Sequence, residues 1–236
     1  FVQDLYRAGR LGRLQFLRSS HHQDMSGWPS YWDGMPPMYN ATHAIGPTLG
    51  VGGHQAESVQ ALGSGSVFES MKAQYGSPYA IESTHIRFLG SDVGAEVTRH
   101  LWAVAREYRE SFDVYGTKKS FEWEQCAGEH PVVFSGFEDA ARVKVPDTDR
   151  LLPKDIAHFS LEHQIIDEEH VSFIQGSGHG GSHPHMVHEF ISAIDEGRKA
   201  RVSARVAANW TVTGLLAHDS ALQGGAVLDL PEYALF

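Results

Sequence analysis

Several side chains in this sequence have types and spacings that suit chemistry. Tyr39 and His43 stand four residues apart at the start of a predicted helix, which puts them on one face. A phenol and an imidazole so placed can relay a proton, or can simply satisfy each other's hydrogen bonds. Just upstream, Trp28, Tyr31 and Trp32 crowd a loop rich in Pro and Gly, and aromatic rings in a loop need a partner surface. Arg106, Tyr108 and Arg109 follow a predicted strand and suit either a hydroxylated or carboxylated ligand or a plain charged strand end. His179, His183, His185 and His188 gather in and after the run Gly176-Ser177-Gly178-His179-Gly180-Gly181.

That glycine run fits G-x-G-x-x-G, follows the apolar stretch Val171 to Ile174 and precedes a predicted helix. The dinucleotide fingerprint also needs a βαβ unit and an acidic residue about 20 positions on, and Arg198 to Arg205 supplies neither. What survives is a glycine-rich approach to a helix N-terminus, whose N–H groups suit a small polar or anionic ligand. Histidine spacing gives no metal site: His183 and His185 point to different sides of a helix start, His21-His22 with Asp24 lies elsewhere, and no H-E-x-x-H occurs. No bound metal is expected. His218-Asp219-Ser220 names a catalytic triad in letters only, since consecutive helical positions diverge by about 100°. They read as helix-surface or capping groups.

The elements that must position these residues begin with a short helix through Val2, Leu5 and Tyr6 and a strand from Leu14 to Ser20. Asn40 is placed to cap a helix through His43, Ile45 and Leu49, although Pro47 and Gly50 oppose it. Strands follow at Ser58 to Leu62, Ile81 to Leu89, Ala95 to Val104, Ser111 to Tyr115, Ser120 to Gln125 and Pro131 to Phe134, with Gly116-Thr117-Lys118-Lys119 as a hairpin turn. A polar excursion covers Gly136 to Gln175. Two helices then close the chain, one from near Ser182 with an apolar stripe of Val187, Phe190, Ile191 and Ile194, the other from about Ser203 to Gln223, before a short strand from Val227 to Leu230. Strands in a block followed by helices predict an α+β fold: a large open, mostly antiparallel sheet of about five to seven strands with helices packed on one face. Phe112, Val114, Phe121 and Trp123 are expected to leave the open face apolar, which argues for a homodimer or higher oligomer.

Composition narrows the partners. Against 29 Asp and Glu there are 19 Lys and Arg, a formal charge of −10, with no basic run, which argues against nucleic acid or an anionic membrane surface. One cysteine, Cys126, cannot build a disulfide framework. No apolar run approaches the roughly 18 residues of a membrane span. A cytoplasmic location is the expectation. The chain opens on Phe1 in what reads as mid-helix, as a piece of something longer would.

With these residues in view, the sequence resembles the C-terminal domain of the family that groups glucose-fructose oxidoreductase, inositol dehydrogenase and MocA. The residues that carry the resemblance are Gly9-Arg10-Leu11-Gly12, Pro36 to His43, Arg106-Glu107-Tyr108-Arg109-Glu110, Val114 to Glu122, His179 to Pro184 and Ala217 to Leu222, which together span nearly the whole chain. The resemblance implies that residues 1–236 form a single substrate-binding and oligomerisation domain whose N-terminal Rossmann domain, the NAD or NADP site, is missing. It implies an NAD(P)-dependent oxidoreductase of a sugar, polyol or glycoside as the full-length parent, with this fragment inactive alone and binding no cofactor. An NAD-dependent glycosidase of the same family, or a non-enzymatic sugar-binding module, is the alternative. His43 matches the family's catalytic histidine in a D-x-x-x-H pair. Tyr39 stands where the Asp would be, and a phenol with pKa near 10 relays or donates a proton rather than abstracting one. Trp28, Tyr31 and Trp32 would stack on a sugar ring, and Arg106, His179 and His183 would complete the substrate site.

Overall fold

The structure, a computed structural model, describes residues 1–106, 108–160 and 178–232, less the side chains at 70 and 178–180. Its contacts divide into two compact units, Phe1–Lys144 with Ala204–Phe236, and Val145–Ser203. The first unit contains β1 (Leu14–Gln23), β2 (Ala56–Ser66), β3 (Tyr79–Phe88), β4 (Gly94–His100), β5 (Tyr108–Gly116), β6 (Ser120–Glu122), β7 (Val132–Phe134), β8 (Ala140–Arg142) and β9 (Leu228–Asp229). They form one sheet in the order β8-β7-β6-β5-β1-β4-β3-β2-β9, antiparallel except for β1 beside β4. The fold is α+β, as the sequence predicts. The count of nine exceeds the expected range because short strands pair at both edges, β8 from within the polar excursion and β9 near the C-terminus.

Helices α1 (Val2–Arg7), α2 (Thr42–Gly50) and α6 (Ala204–Leu222) cover one face of this sheet. The side chains facing them follow strand parity: Leu17 and Ser19 in β1, Ala95 and Val97 in β4, Phe112 and Val114 in β5, Thr84, Ile86 and Phe88 in β3, Val59 and Ala61 in β2. A bulge between Leu14 and Phe16 puts Leu14 in the same core despite its odd spacing from Leu17. This parity corrects the expected apolar open face. Val114 and Phe121 are buried under the helices, and Phe112 and Trp123 pack against that same core. The opposite face is polar, with an Arg18–Asp113 ion pair at 2.8 Å and hydroxyl bonds between Ser20 and Ser111 and between Ser83 and Thr98.

The helices are fitted to the sheet by small residues and by side-chain hydrogen bonds. In α6, Asn209 clasps the backbone of Ala56 in both directions, at 2.9 and 3.0 Å, and Ser220 accepts from the N–H of Ala61 and donates to the carbonyl of Ala226. His218 is also buried, and it and Ser220 face the sheet, which corrects their reading as helix-surface groups. Gly46 in α2 lets the ring of Trp210 close against the helix. Thr42 begins α2 with no side-chain cap, so Asn40 is not the cap; it ends a 3-10 turn, Pro37–Asn40, that leads into α2. A second, smaller apolar cluster of Met25, Val67, Tyr75 at the end of the short α3 (Lys72–Tyr75), Leu101 and Trp102, with Tyr75 stacked on Trp102, underlies the aromatic loop.

The second unit contains the short α4 (Lys154–Ala157) and α5 (Gly178–Asp195). The helix expected from Ser182 begins at Gly178, so the described glycines lie inside its first turns rather than in a loop before it. Its apolar stripe is exposed: Val187, Phe190, Ile191 and Ile194 each keep more than half of their surface. Gly176, Ser177 and the run Val171 to Ile174 lie outside the described residues, as does the side chain of His179.

One close approach governs how α6 meets the 3-10 turn before α2. A Cβ on Gly214 would fall far inside van der Waals contact distance of the Met38 carbonyl oxygen. Gly214→Ala is expected to cost about 2 kcal/mol of stability and to lower the thermal midpoint by about 4–8 °C, read by calorimetry. An unchanged midpoint would show that the turn yields without cost.

Candidate functional site

Core-facing parity brings four polar residues into one row across the centre of the sheet. Glu110 in β5 is paired in register with His21 in β1, His21 with Arg99 in β4, and Arg99 with Glu82 in β3. Each extends an apolar inward stripe on its own strand, so a carboxylate, an imidazole, a guanidinium and a second carboxylate stand side by side under the helices. His21, Arg99 and Glu82 are fully buried. A buried charge needs partners, and the helices and turns above supply them.

At one end, Nδ1 of His43, from the first turn of α2, lies 2.5 Å from Oε1 of Glu110, and Nε2 of His21 lies 3.8 Å from the same oxygen. The Tyr108 hydroxyl also donates to Glu110. Burial alone would raise the Glu110 carboxyl, but the bonds from His43 and Tyr108 and the nearby imidazoles outweigh it and hold it at about 2. It is therefore ionised at neutral pH and can only accept. The bond between them then places the His43 proton on Nδ1, and in the neutral ring the lone pair lies on Nε2, the nitrogen able to take a proton. Burial first, then the Glu110 charge, pushes the Tyr108 phenol up to about 12. Side chains of His43 and Glu110 remain 27% and 36% exposed, so the pair is reachable from outside.

At the other end, Glu82 binds Nδ1 of His218 at 2.7 Å, the N–H of Met38 at 3.2 Å and the hydroxyl of Ser77 at 3.2 Å. Between the two ends, Arg99 donates to the carbonyls of Asn40, His21 and His100. Burial lowers its guanidinium to about 9, which leaves it a cation at neutral pH. Burial, reinforced by Arg99 and His43, pushes His21 down to about 3, and burial with the stacked His100 pushes His22 on the opposite face down to about 4.

Tyr39 is half exposed and its ring meets His218 edge-on at 5.3 Å, while the Nδ1 of His43 turns to Glu110. Trp28 and Trp32 contact at 5.7 Å, Tyr31 lies 78% exposed beside Trp32, and Trp32 packs on the small cluster containing Met25 and Trp102. This loop leaves the sheet after β1, at the end where the polar row lies. Arg106 is exposed and donates to the Gln125 carbonyl. His183 belongs to α5 in the second unit. Sequence reasoning singled out His43 and Tyr108 but not the roles of Glu110, Glu82, Arg99 and His21. The available signal was a charged or imidazole residue at the apolar parity of a strand, as in Glu110-x-Phe112-x-Val114.

No protein-family model matches the chain, and no curated protein matches it significantly. Solved structures do. A levoglucosan dehydrogenase in complex with NADH and levoglucosan superposes over 98% of this chain with a TM-score of 0.66 at 18% identity. An oxidoreductase from Agrobacterium radiobacter in complex with NAD+, L-tartaric acid and magnesium superposes over 97% with a TM-score of 0.67 at 12% identity. This chain shares their fold. A putative oxidoreductase from Thermotoga maritima gives a TM-score of 0.62 at 13% identity. The chain spans 62%, 60% and 59% of the length of these three neighbours. Among the described residues no helix is long and apolar enough to cross a membrane.

The titration of the site has a definite sign. A histidine whose folded pKa lies below its unfolded value of about 6.5 stabilises the fold fully above that pH and loses the contribution as pH falls. For His21 and His22 that window runs from 6.5 down to about 3 and 4 respectively. For the depressed Glu110 it runs from 4.5 down to about 2. The urea midpoint is therefore expected to fall steadily from pH 7 to pH 4, and less steeply in His22→Gln. A midpoint constant over that range would show that these imidazoles protonate freely in the folded state.

Proposed function

We propose that this chain is the substrate-binding part of an NAD(P)-dependent oxidoreductase of a sugar, polyol or glycoside, with His43 as its proton-transfer residue. The observation that carries this reading is the His43–Glu110 pair, in which an ionised carboxylate fixes the imidazole tautomer whose Nε2 can take a proton. The fold shared with a levoglucosan dehydrogenase supports it. His43 accepts the substrate hydroxyl proton, Glu110 stabilises the imidazolium that forms, and Tyr108 steadies Glu110. Trp28, Tyr31 and Trp32 offer ring faces for the C–H surface of a sugar, Arg106 adds a cation to the substrate site of the same unit, and Tyr39 relays or donates a proton.

A nicotinamide cofactor bound elsewhere would supply the hydride acceptor. The residues described here do not fit it: Gly178 to Gly181 lie within α5, and no pyrophosphate cradle at a strand-to-helix turn is present among them. The chain alone is therefore expected to bind NADH or NADPH no more tightly than millimolar, about −4 kcal/mol, in a calorimetric titration. Micromolar affinity would place a cofactor site in these residues.

Joined to its cofactor domain, the enzyme is expected to reduce NAD or NADP with a member of a sugar and polyol panel, and His43→Ala is expected to lower kcat by about 10²- to 10⁴-fold. Undiminished turnover would remove His43 from the mechanism, and a folded full-length protein that binds sugars without turnover would favour a non-enzymatic binding module. Self-association through the open sheet face belongs to the same reading and rests on the family resemblance alone, since that face is polar whereas homodimer interfaces run more apolar than ordinary surface. Sedimentation at tens of micromolar, a concentration suited to ordinary oligomer affinities, is expected to show a dimer or larger species, and a stable monomer would exclude it.

A further inference from the structure

His21, His43 and Glu110 come from three elements and offer one donor atom each, all within 4.8 Å of one another. Two of those atoms, Nδ1 of His43 and Nε2 of His21, flank a single carboxylate oxygen at 2.5 and 3.8 Å. The third side of the triangle is what separates this group from an ordinary ion pair. His21 is 0% exposed, and neither of its ring nitrogens has a hydrogen-bond partner among the described residues. A fully buried imidazole with two unsatisfied nitrogens is costly, and here one of them is aimed at the carboxylate already held by His43.

We propose that these three residues form a binding site for a divalent transition-metal ion of the zinc class. Two imidazoles and a carboxylate are a common donor set for such ions, with bond lengths of about 2.0–2.2 Å, and ligands at that distance from one centre lie about 3.3–3.5 Å apart. The two distances to the Glu110 oxygen, 2.5 and 3.8 Å, lie on either side of that value and all three donors fall within 4.8 Å of one another, so small side-chain shifts suffice. The exposure of His43 and Glu110 gives the ion a way in. Arg99, paired in register with His21, opposes a cation, but Glu82 and Glu110 flank it in the row and leave the group at one net negative charge with both imidazoles neutral.

Occupancy has a chemical consequence. When the ion takes Nδ1 of neutral His43, the ring proton must move to Nε2 through solvent, with no net proton released. Nε2 then carries hydrogen and cannot accept a proton, so the loaded site and the proton-transfer role proposed above exclude each other. The metal site rests on the three donors alone and stands whether or not the chain belongs to an oxidoreductase.

The test uses the chain itself after exhaustive EDTA treatment, titrated with zinc sulfate against a chromophoric chelator, with Co²⁺ as the spectroscopic probe. One equivalent is expected to bind at micromolar Kd or tighter, and Co²⁺ is expected to show the intense visible bands of a low-symmetry nitrogen and oxygen site. Glu110→Gln, isosteric and half exposed, is expected to weaken binding roughly 100-fold or more, beyond the 10- to 100-fold of an outer-shell loss. The fourfold change His179→Gln, His183→Gln, His185→Gln, His188→Gln, which strips the histidines of α5, is expected to leave that equivalent in place. Zinc binding that is absent, that survives Glu110→Gln at full strength, or that disappears with the α5 histidines would overturn the proposal. Because no cofactor or sugar enters the assay, its failure leaves the function of His43 to be decided by the turnover experiment.

Discussion

A guanidinium buried in the middle of the sheet sets the terms for everything above it. Arg99 lies at core parity in β4, fully shielded from water, where an uncompensated charge would cost several kcal/mol. Its hydrogen bonds reach three separate pieces of chain: the 3-10 turn through Asn40, β1 through His21 and its own strand through His100. Carboxylates stand on either side of it, Glu82 next to it in register and Glu110 one strand beyond His21. The bond to Asn40 fixes the turn from which α2 starts, and so fixes where His43 can stand. Glu82 secures the same turn through the Met38 N–H and ties down α6 through His218.

The helices can come this close because the sequence places small side chains where they cross. Gly214 of α6 meets the Met38 carbonyl, Gly46 of α2 meets the ring of Trp210, and Ala217 and Ala221 lie against the sheet. Close packing excludes water from the row, which strengthens each charge interaction inside it and makes each unpaired group more costly. The polar row and the tight helix layer thus depend on each other: one sets the charges that need partners, and the other brings the partners within reach.

Much of the architecture was legible before the structure. Alternation in β5 and β6, the hairpin at Gly116 and the strand block followed by helices fix an α+β sheet, and the approximate extents of α2 and α6 follow from their patterns. The side of the sheet that each strand residue faces was less legible, because Phe112, Val114, Phe121 and Trp123 read equally well as an exposed or a covered face until the helices are placed. The site was only partly legible for a related reason. His43 drew attention through its position, but its partner lies 67 residues away, and His218 finds Glu82 across 136. Neighbouring letters such as His218-Asp219-Ser220 mislead, since a helix scatters what the sequence juxtaposes. What the pattern did contain was a carboxylate or cation on the apolar parity of a strand, which only partners from elsewhere in the fold can make tolerable.

The tandem His21-His22 shows how firmly the chemistry is tied to strand parity. These neighbours face opposite sides of the sheet, one beneath the helices and the other stacked on His100. Removing one residue between Leu17 and His21 would bring His22 into the row beside Arg99 and Glu110, so a histidine would still occupy that place. Such a deletion would turn over only polar residues, since Arg18 to Gln23 holds no apolar side chain, and Leu14 and Leu17 would stay in the core. Loss or gain of an even number of residues would keep each side chain on its own face. Single-residue length changes beyond Leu17 are therefore opposed by the polar pairings of the strand, Arg18 with Asp113 and Ser20 with Ser111, even where the reacting group itself could be replaced by its neighbour.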